Sequence, residues 1–117
     1  MTEPIETRQH MVGMGGVQKI YRFDNNYGAS VVRFQYSYGY EKGLWELAVI
    51  GFPDDSDDYR ITYETYLTDD VIGYLSDKQV EETLIAIQEL PMLDKIAFDA
   101  EQSARDALMR RVMGKGE

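Results

Sequence analysis

Ser76-Asp77-Lys78-Gln79-Val80-Glu81-Glu82-Thr83-Leu84-Ile85-Ala86-Ile87 is the stretch on which the fold turns. Ser76 with Gln79 three residues on has capping-box spacing, in which each side chain satisfies the other residue's orphan backbone N–H. Val80, Leu84 and Ile87 then recur at i, i+4 and i+7, the spacing that gathers apolar side chains on one helical face. The helix stops at or before Pro91.

Upstream of residue 66 the apolar period is two instead. Val17, Lys19, Tyr21 and Phe23 alternate with Gln18, Ile20 and Arg22, which predicts a first strand. Asp24-Asn25-Asn26-Tyr27-Gly28 reads as a turn, because Asn, Asp and Gly tolerate left-handed backbone. A second strand is expected over 29–38, with Val32, Phe34, Tyr36 and Tyr38 on one face and Val31, Arg33, Gln35 and Ser37 on the other. Gly39 to Gly43 makes the next turn. Leu44 to Ile50 is almost continuously apolar, as a central strand must be when both of its faces are covered, and Trp45 within it reads as core. Tyr59, Ile61 and Tyr63 alternate with Arg60, Thr62 and Glu64 in a fourth strand. Thr68-Asp69-Asp70 is expected to cap a helical turn through Tyr74 and Leu75.

Downstream, a last helix is predicted over 94–113, with the stripe Ile96, Ala100, Ala104, Ala107 and Leu108 turned to the core. Arg110, Arg111 and Lys115 lie at its C-terminal end, where the helix dipole favours positive charge. Strands followed by helices define an α+β class: an antiparallel meander of about four strands with two C-terminal helices packed on one face. At 117 residues the chain fits one domain, placed at 17–113, with residues 1–16 as a mobile N-terminal tail.

Composition excludes several chemistries. With no cysteine there is no disulfide framework, thiol catalysis or Cys-based metal site, and one histidine, His10, rules out multi-His metal centres. His10 reads as an ordinary surface histidine, since it falls in the expected tail while catalysis needs a group fixed to within about 1 Å. Gly13-Met14-Gly15-Gly16 precedes a strand and lacks a following Lys-Ser/Thr, so it is no phosphate loop. The acidic run from Asp54 fails the calcium-loop pattern: counted from Asp55, position 5 is Tyr59 and position 6 is Arg60. Among 21 carboxylates a close pair is inevitable, so proximity alone does not argue for a glycosidase. The expected protein is therefore not an enzyme, and binds neither cofactor nor metal. No apolar run approaches the roughly 20 residues that span a bilayer, and the N-terminus lacks secretory character.

Charge is unevenly placed. Residues 1–40 carry a net +1, residues 41–101 a net −12 and residues 102–117 a net +2, giving −9 in all. Such a surface repels nucleic-acid phosphates and attracts a basic cleft. The candidate contact residues are Asp54, Asp55, Asp57, Asp58, Glu64, Asp69 and Asp70. Tyr36, Tyr38, Tyr40 and Tyr59 join them, tyrosine being a large rigid group with a polar tip.

The segments Tyr21-Arg22-Phe23-Asp24-Asn25, Tyr27-Gly28-Ala29-Ser30-Val31-Val32, Gly43-Leu44-Trp45-Glu46-Leu47-Ala48-Val49 and Thr68-Asp69-Asp70-Val71-Ile72-Gly73-Tyr74-Leu75 resemble a group of small uncharacterised bacteriophage and prophage proteins. The resemblance spans about residues 19–90 and brings no catalytic residues with it. It implies an accessory phage protein made in the cytoplasm of the bacterial host, a class that includes inhibitors of host defence, anti-CRISPR proteins among them. The expectation is a binding protein that occupies a basic cleft on a host nucleic-acid-handling or defence protein. The alternative is a component of the phage particle that self-associates, as a homodimer or larger assembly.

Overall fold

The structure is a computed structural model that describes residues 2–10, 15–35, 37, 39–62 and 71–114. Its strands are β1 (Glu6–His10), β2 (Gly16–Arg22), β3 (Tyr27–Arg33), β4 (Trp45–Gly51), β5 (Arg60–Ile61) and β6 (Ile72–Leu75). Its helices are α1 (Asp77–Gln88) and α2 (Lys95–Gly114), with a 3-10 turn at Tyr40–Lys42. The class is α+β. One antiparallel sheet has the order β1-β2-β3-β4-β5, and β6 also pairs with β4. The expected four-strand meander is thus present and enlarged.

Residues 6–10 correct the reading of 1–16 as a tail: Glu6 pairs with Ile20 and His10 with Gly16, making β1 an edge strand. Its sequence, Glu-Thr-Arg-Gln-His, holds no apolar residue. An exposed edge is protected by charge, so the strand gives no burial pattern to read.

β5 and β6 lie along the same edge of β4. Ile61 faces Ile50, while Ile72 faces Leu47. They pair with the two ends of that edge, and residues 63–70, between them in sequence, lie outside the described residues. The helical turn expected to reach Tyr74 and Leu75 is instead β6. It holds a register shift between Trp45 and Leu47, and Tyr74 adopts a left-handed φ of 60° there, the local signature of a bulge.

β3 ends at Arg33, short of the predicted residue 38. The chain turns at Phe34, whose N–H donates to the Ser37 hydroxyl (3.0 Å) and whose carbonyl accepts from Ser37 N–H (2.8 Å). Gly39 follows at φ 86°, where a Cβ would stand 2.7 Å from that of Leu44. No other residue fits this turn without strain.

The sheet has two covered faces. On one, Ala29, Val31, Leu47 and Val49 pack with Trp45 and Leu75 beneath α1, which contributes Val80, Leu84 and Ile87, and Leu90 joins them just past its end. The predicted capping box is present, with Ser76 N–H donating to Gln79 Oε1 (2.9 Å) and Gln79 N–H to Ser76 Oγ (3.2 Å). On the other face, Ile20, Ile50 and Phe52 pack with Tyr59. β4 is buried on both, as its composition requires.

The end of α1 is held from a distance. Asn25, in the β2–β3 turn, donates its carboxamide to the carbonyls of Ile87 (2.8 Å) and Leu90 (3.0 Å), and its own carbonyl accepts from Leu93 N–H. α2 is preceded by Asp94, whose carboxylate accepts from Ala97 N–H, and docks through its first half. Phe98 and Leu93 fill the space over Gly51, where a Cβ would lie 2.5 Å from the Phe98 ring. Gln102 donates to the Ile61 carbonyl (3.0 Å) and Thr62 donates to Glu101 (2.9 Å).

The predicted stripe of α2 is therefore on the wrong side. Ile96 is 84% exposed and Leu108 57%, and Ala100, Ala104 and Ala107 are exposed as well. The edge strand offers a carbonyl and a hydroxyl, so a largely polar face docks there.

Candidate functional site

The residues singled out by sequence fall at opposite ends of β4. At the C-terminal end, residues 53–59 fold back over the second sheet face and carry Asp54, Asp55, Asp57, Asp58 and Tyr59. At the N-terminal end, before Trp45, stands Tyr40. Six strand steps separate the ends, about 20 Å, so the two groups do not form one patch. Tyr36, Tyr38, Glu64, Asp69 and Asp70 lie outside the described residues, as does the side chain of His10.

The acidic connection is pinned from below by Arg22. β2 alternation puts Arg22 beside Ile20's face of the sheet, and its guanidinium stacks 4.4 Å over the Phe52 ring. From there it donates to the carbonyls of Ser56 (2.6 Å) and Asp54 (2.7 Å) and lies 3.6 Å from the Asp57 carboxylate. The planar fork of arginine suits this two-point grip. Tyr59 packs against Phe52 at 5.7 Å between ring centroids, and its hydroxyl accepts from Arg8 (3.1 Å). Arg8 also donates to Gln18, which donates on to Ser30, both at 2.8 Å. A polar chain thus links β1, β2 and β3 to the base of the loop.

The four aspartates divide by role. Asp54 accepts from the backbone N–H (2.8 Å) and the hydroxyl of Ser56. The Ser56 hydroxyl and then its N–H, with Lys95 and Arg22 nearby, hold the Asp54 carboxyl below the ordinary range. Its acceptor capacity serves the turn, as Asx residues do. Asp55, Asp57 and Asp58 are exposed. Their position is set by a backbone fixed through Arg22, a residue that sequence reasoning passed over: only the three-dimensional return of the loop brings residue 22 under residue 56.

Near Tyr40, a cavity of about 260 Å³ is lined by Gln35, Ser37, Glu41, Lys42 and Tyr74. Beside it, under α1, a second groove of about 210 Å³ was not legible in sequence. Its floor is Trp45, with Lys19 at 4.9 Å and Arg33 at 4.2 Å from the indole centroid, both within cation–π range. The Trp45 indole N–H donates to Asp77 (2.8 Å). Thr2 closes one side by donating its N–H (2.8 Å) and hydroxyl (2.7 Å) to Glu81, which holds that carboxyl below its usual value. The groove's cations and anions are mutually matched and present no single charge to a ligand.

Among the described residues, no three acidic or histidine side chains are grouped to hold a metal ion. No described helix is long and apolar enough to cross a membrane. No family model, no curated protein and no solved structure matches this chain.

Proposed function

We propose that this chain is a non-enzymatic binding protein that offers its acidic β4–β5 connection to a basic site on another protein. The observation that carries the reading is the rigidity of the presentation. Asp55, Asp57 and Asp58 project from a backbone that Arg22 grips at two carbonyls, so little ordering entropy is lost when a cationic partner binds. The net −12 of residues 41–101 supports it by steering association with a basic surface. The resemblance over residues 19–90 supplies the setting: a phage accessory protein acting in the bacterial cytoplasm against a host nucleic-acid-handling or defence protein.

The test is affinity purification from bacterial lysate with partners identified by mass spectrometry, followed by binding kinetics across a salt series. Asp55→Asn, Asp57→Asn and Asp58→Asn are combined while Asp54 is spared, because it holds the turn. The triple variant should keep its fold, associate more slowly and show a flatter salt dependence. An unchanged on-rate and salt slope would show that the loop is only a connection.

A further inference from the structure

We propose that the groove between α1 and the sheet binds a small zwitterion, a free α-amino acid with a short aliphatic side chain. The inference does not rest on the acidic-loop reading. The groove, of about 210 Å³, has two walls of opposite charge. Lys19 and Arg33 stand on the sheet side. Asp77 and Glu81 stand on the helix side, four residues apart and so on one side of α1. The charges are equal in number, yet among the described residues no ion pair within 4 Å joins one wall to the other. Between the walls and beside Trp45, the buried side chains of Val31, Val80 and Leu84 make the base apolar.

Each charged group keeps bonding capacity. Asp77 accepts the Trp45 indole N–H on Oδ1, and Glu81 accepts both donors of Thr2 on Oε1, which leaves Asp77 Oδ2 and Glu81 Oε2 as acceptors. Arg33 gives one nitrogen to the Gly43 carbonyl (3.1 Å) and has further donors. The Lys19 ammonium lies over the Trp45 ring at 4.9 Å and makes no hydrogen bond or ion pair among the described residues. A carboxylate between Lys19 and Arg33 answers both cations, and an ammonium at Asp77 and Glu81 answers both anions, all through charge-assisted bonds. An α-amino acid carries these two groups on one carbon, so a single ligand meets both walls. A plain anion would face Asp77 and Glu81, and a plain cation would face Lys19 and Arg33. The indole is already occupied by two cations, so the groove favours an aliphatic side chain over a stacked ring. Its volume lies below the roughly 300 Å³ at which pockets for larger ligands begin, so that side chain is short.

Titration of isotope-labelled protein with L-valine, followed by amide chemical shifts, tests this. Valine should bind with a Kd of about 1 mM or tighter, with the shifts centred on Lys19, Arg33, Trp45, Asp77 and Glu81. Isovalerate, which lacks the ammonium, and isobutylamine, which lacks the carboxylate, should each bind at least about tenfold more weakly. Lys19→Met keeps the stem over Trp45 and removes the charge, while Glu81→Gln keeps an acceptor for Thr2. Each should weaken valine binding at least about tenfold, with the rest of the amide spectrum unchanged. Lys78→Met removes the same charge from an exposed site outside the groove and should leave binding as it is. Valine that shifts no amide of the groove at tens of millimolar overturns the proposal. So does isovalerate or isobutylamine binding as tightly as valine, or equal loss on Lys78→Met.

Discussion

The two helices follow the same sheet, and only one obeys its own hydrophobic pattern. α1 buries Val80, Leu84 and Ile87, the trio at helical spacing. α2 turns its apolar stripe outward and docks through Phe98 and two polar side chains. The difference lies in what each meets. α1 covers the middle of the sheet, where Val31, Leu47 and Val49 present only apolar surface. α2 meets an edge where the Ile61 carbonyl accepts from Gln102 and the Thr62 hydroxyl donates to Glu101, and leaving a buried carbonyl or hydroxyl unsatisfied costs about 1–3 kcal/mol. Hydrophobic periodicity thus finds a helix in both cases, and finds its buried face only where the neighbour is apolar.

The contrast can be broken hardest in α1. Val80→Asp buries an unpaired charge in the main core and should destabilise by about 3–5 kcal/mol, measured by urea unfolding. Next comes Gly51→Val, whose new side chain collides with Phe98 and Leu93. Overpacking of this kind costs about 1–3 kcal/mol and should lift α2 while α1 stays seated, read as loss of amide-exchange protection confined to residues 95–102.

Two tyrosines report on the helices separately. Burial raises the Tyr21 pKa, helped by Glu81 of α1 and Glu3. Burial also raises that of Tyr27, helped by Glu101 of α2 and Asp94. A raised folded-state value means the unfolded chain loses its protons first, so this contribution is intact below the ordinary tyrosine value near 10 and is lost as pH climbs past it. Alkaline difference spectroscopy on Gly51→Val should find Tyr27 returned toward its ordinary value and Tyr21 unmoved. The smallest effect belongs to Ile96→Ser, on the outward face of α2. It should change stability by no more than about 0.5 kcal/mol, in thermal unfolding at low protein concentration. A loss of several kcal/mol would place the Ile96 stripe in a core after all.

What sequence revealed follows the same division. The capped helix from Ser76, the central strand and the buried Trp45 were legible, because each combines a local signal with burial on an apolar neighbour. β1 was hidden because an edge strand of charged and polar residues has no apolar alternation. β6 was hidden because its bulge at Tyr74 breaks the period of two. In the candidate site, the exposed aspartates were legible as an acidic run. The distinct role of Asp54 and the grip of Arg22 were not, since both depend on where the loop returns. Tyr40 was grouped with the aspartates by composition, and the length of β4 separates them.

The cap that Asn25 provides for α1 has a consequence for how the chain tolerates change. A turn between two antiparallel strands is ordinarily the place where a protein accepts insertions or a new pair of termini. Here the turn residue carries the last carbonyls of a helix 62 positions further along the chain, and a lengthened turn would withdraw that support. The hairpin that looks most permissive in the sequence is thus a poor site for a tag or a circular permutation.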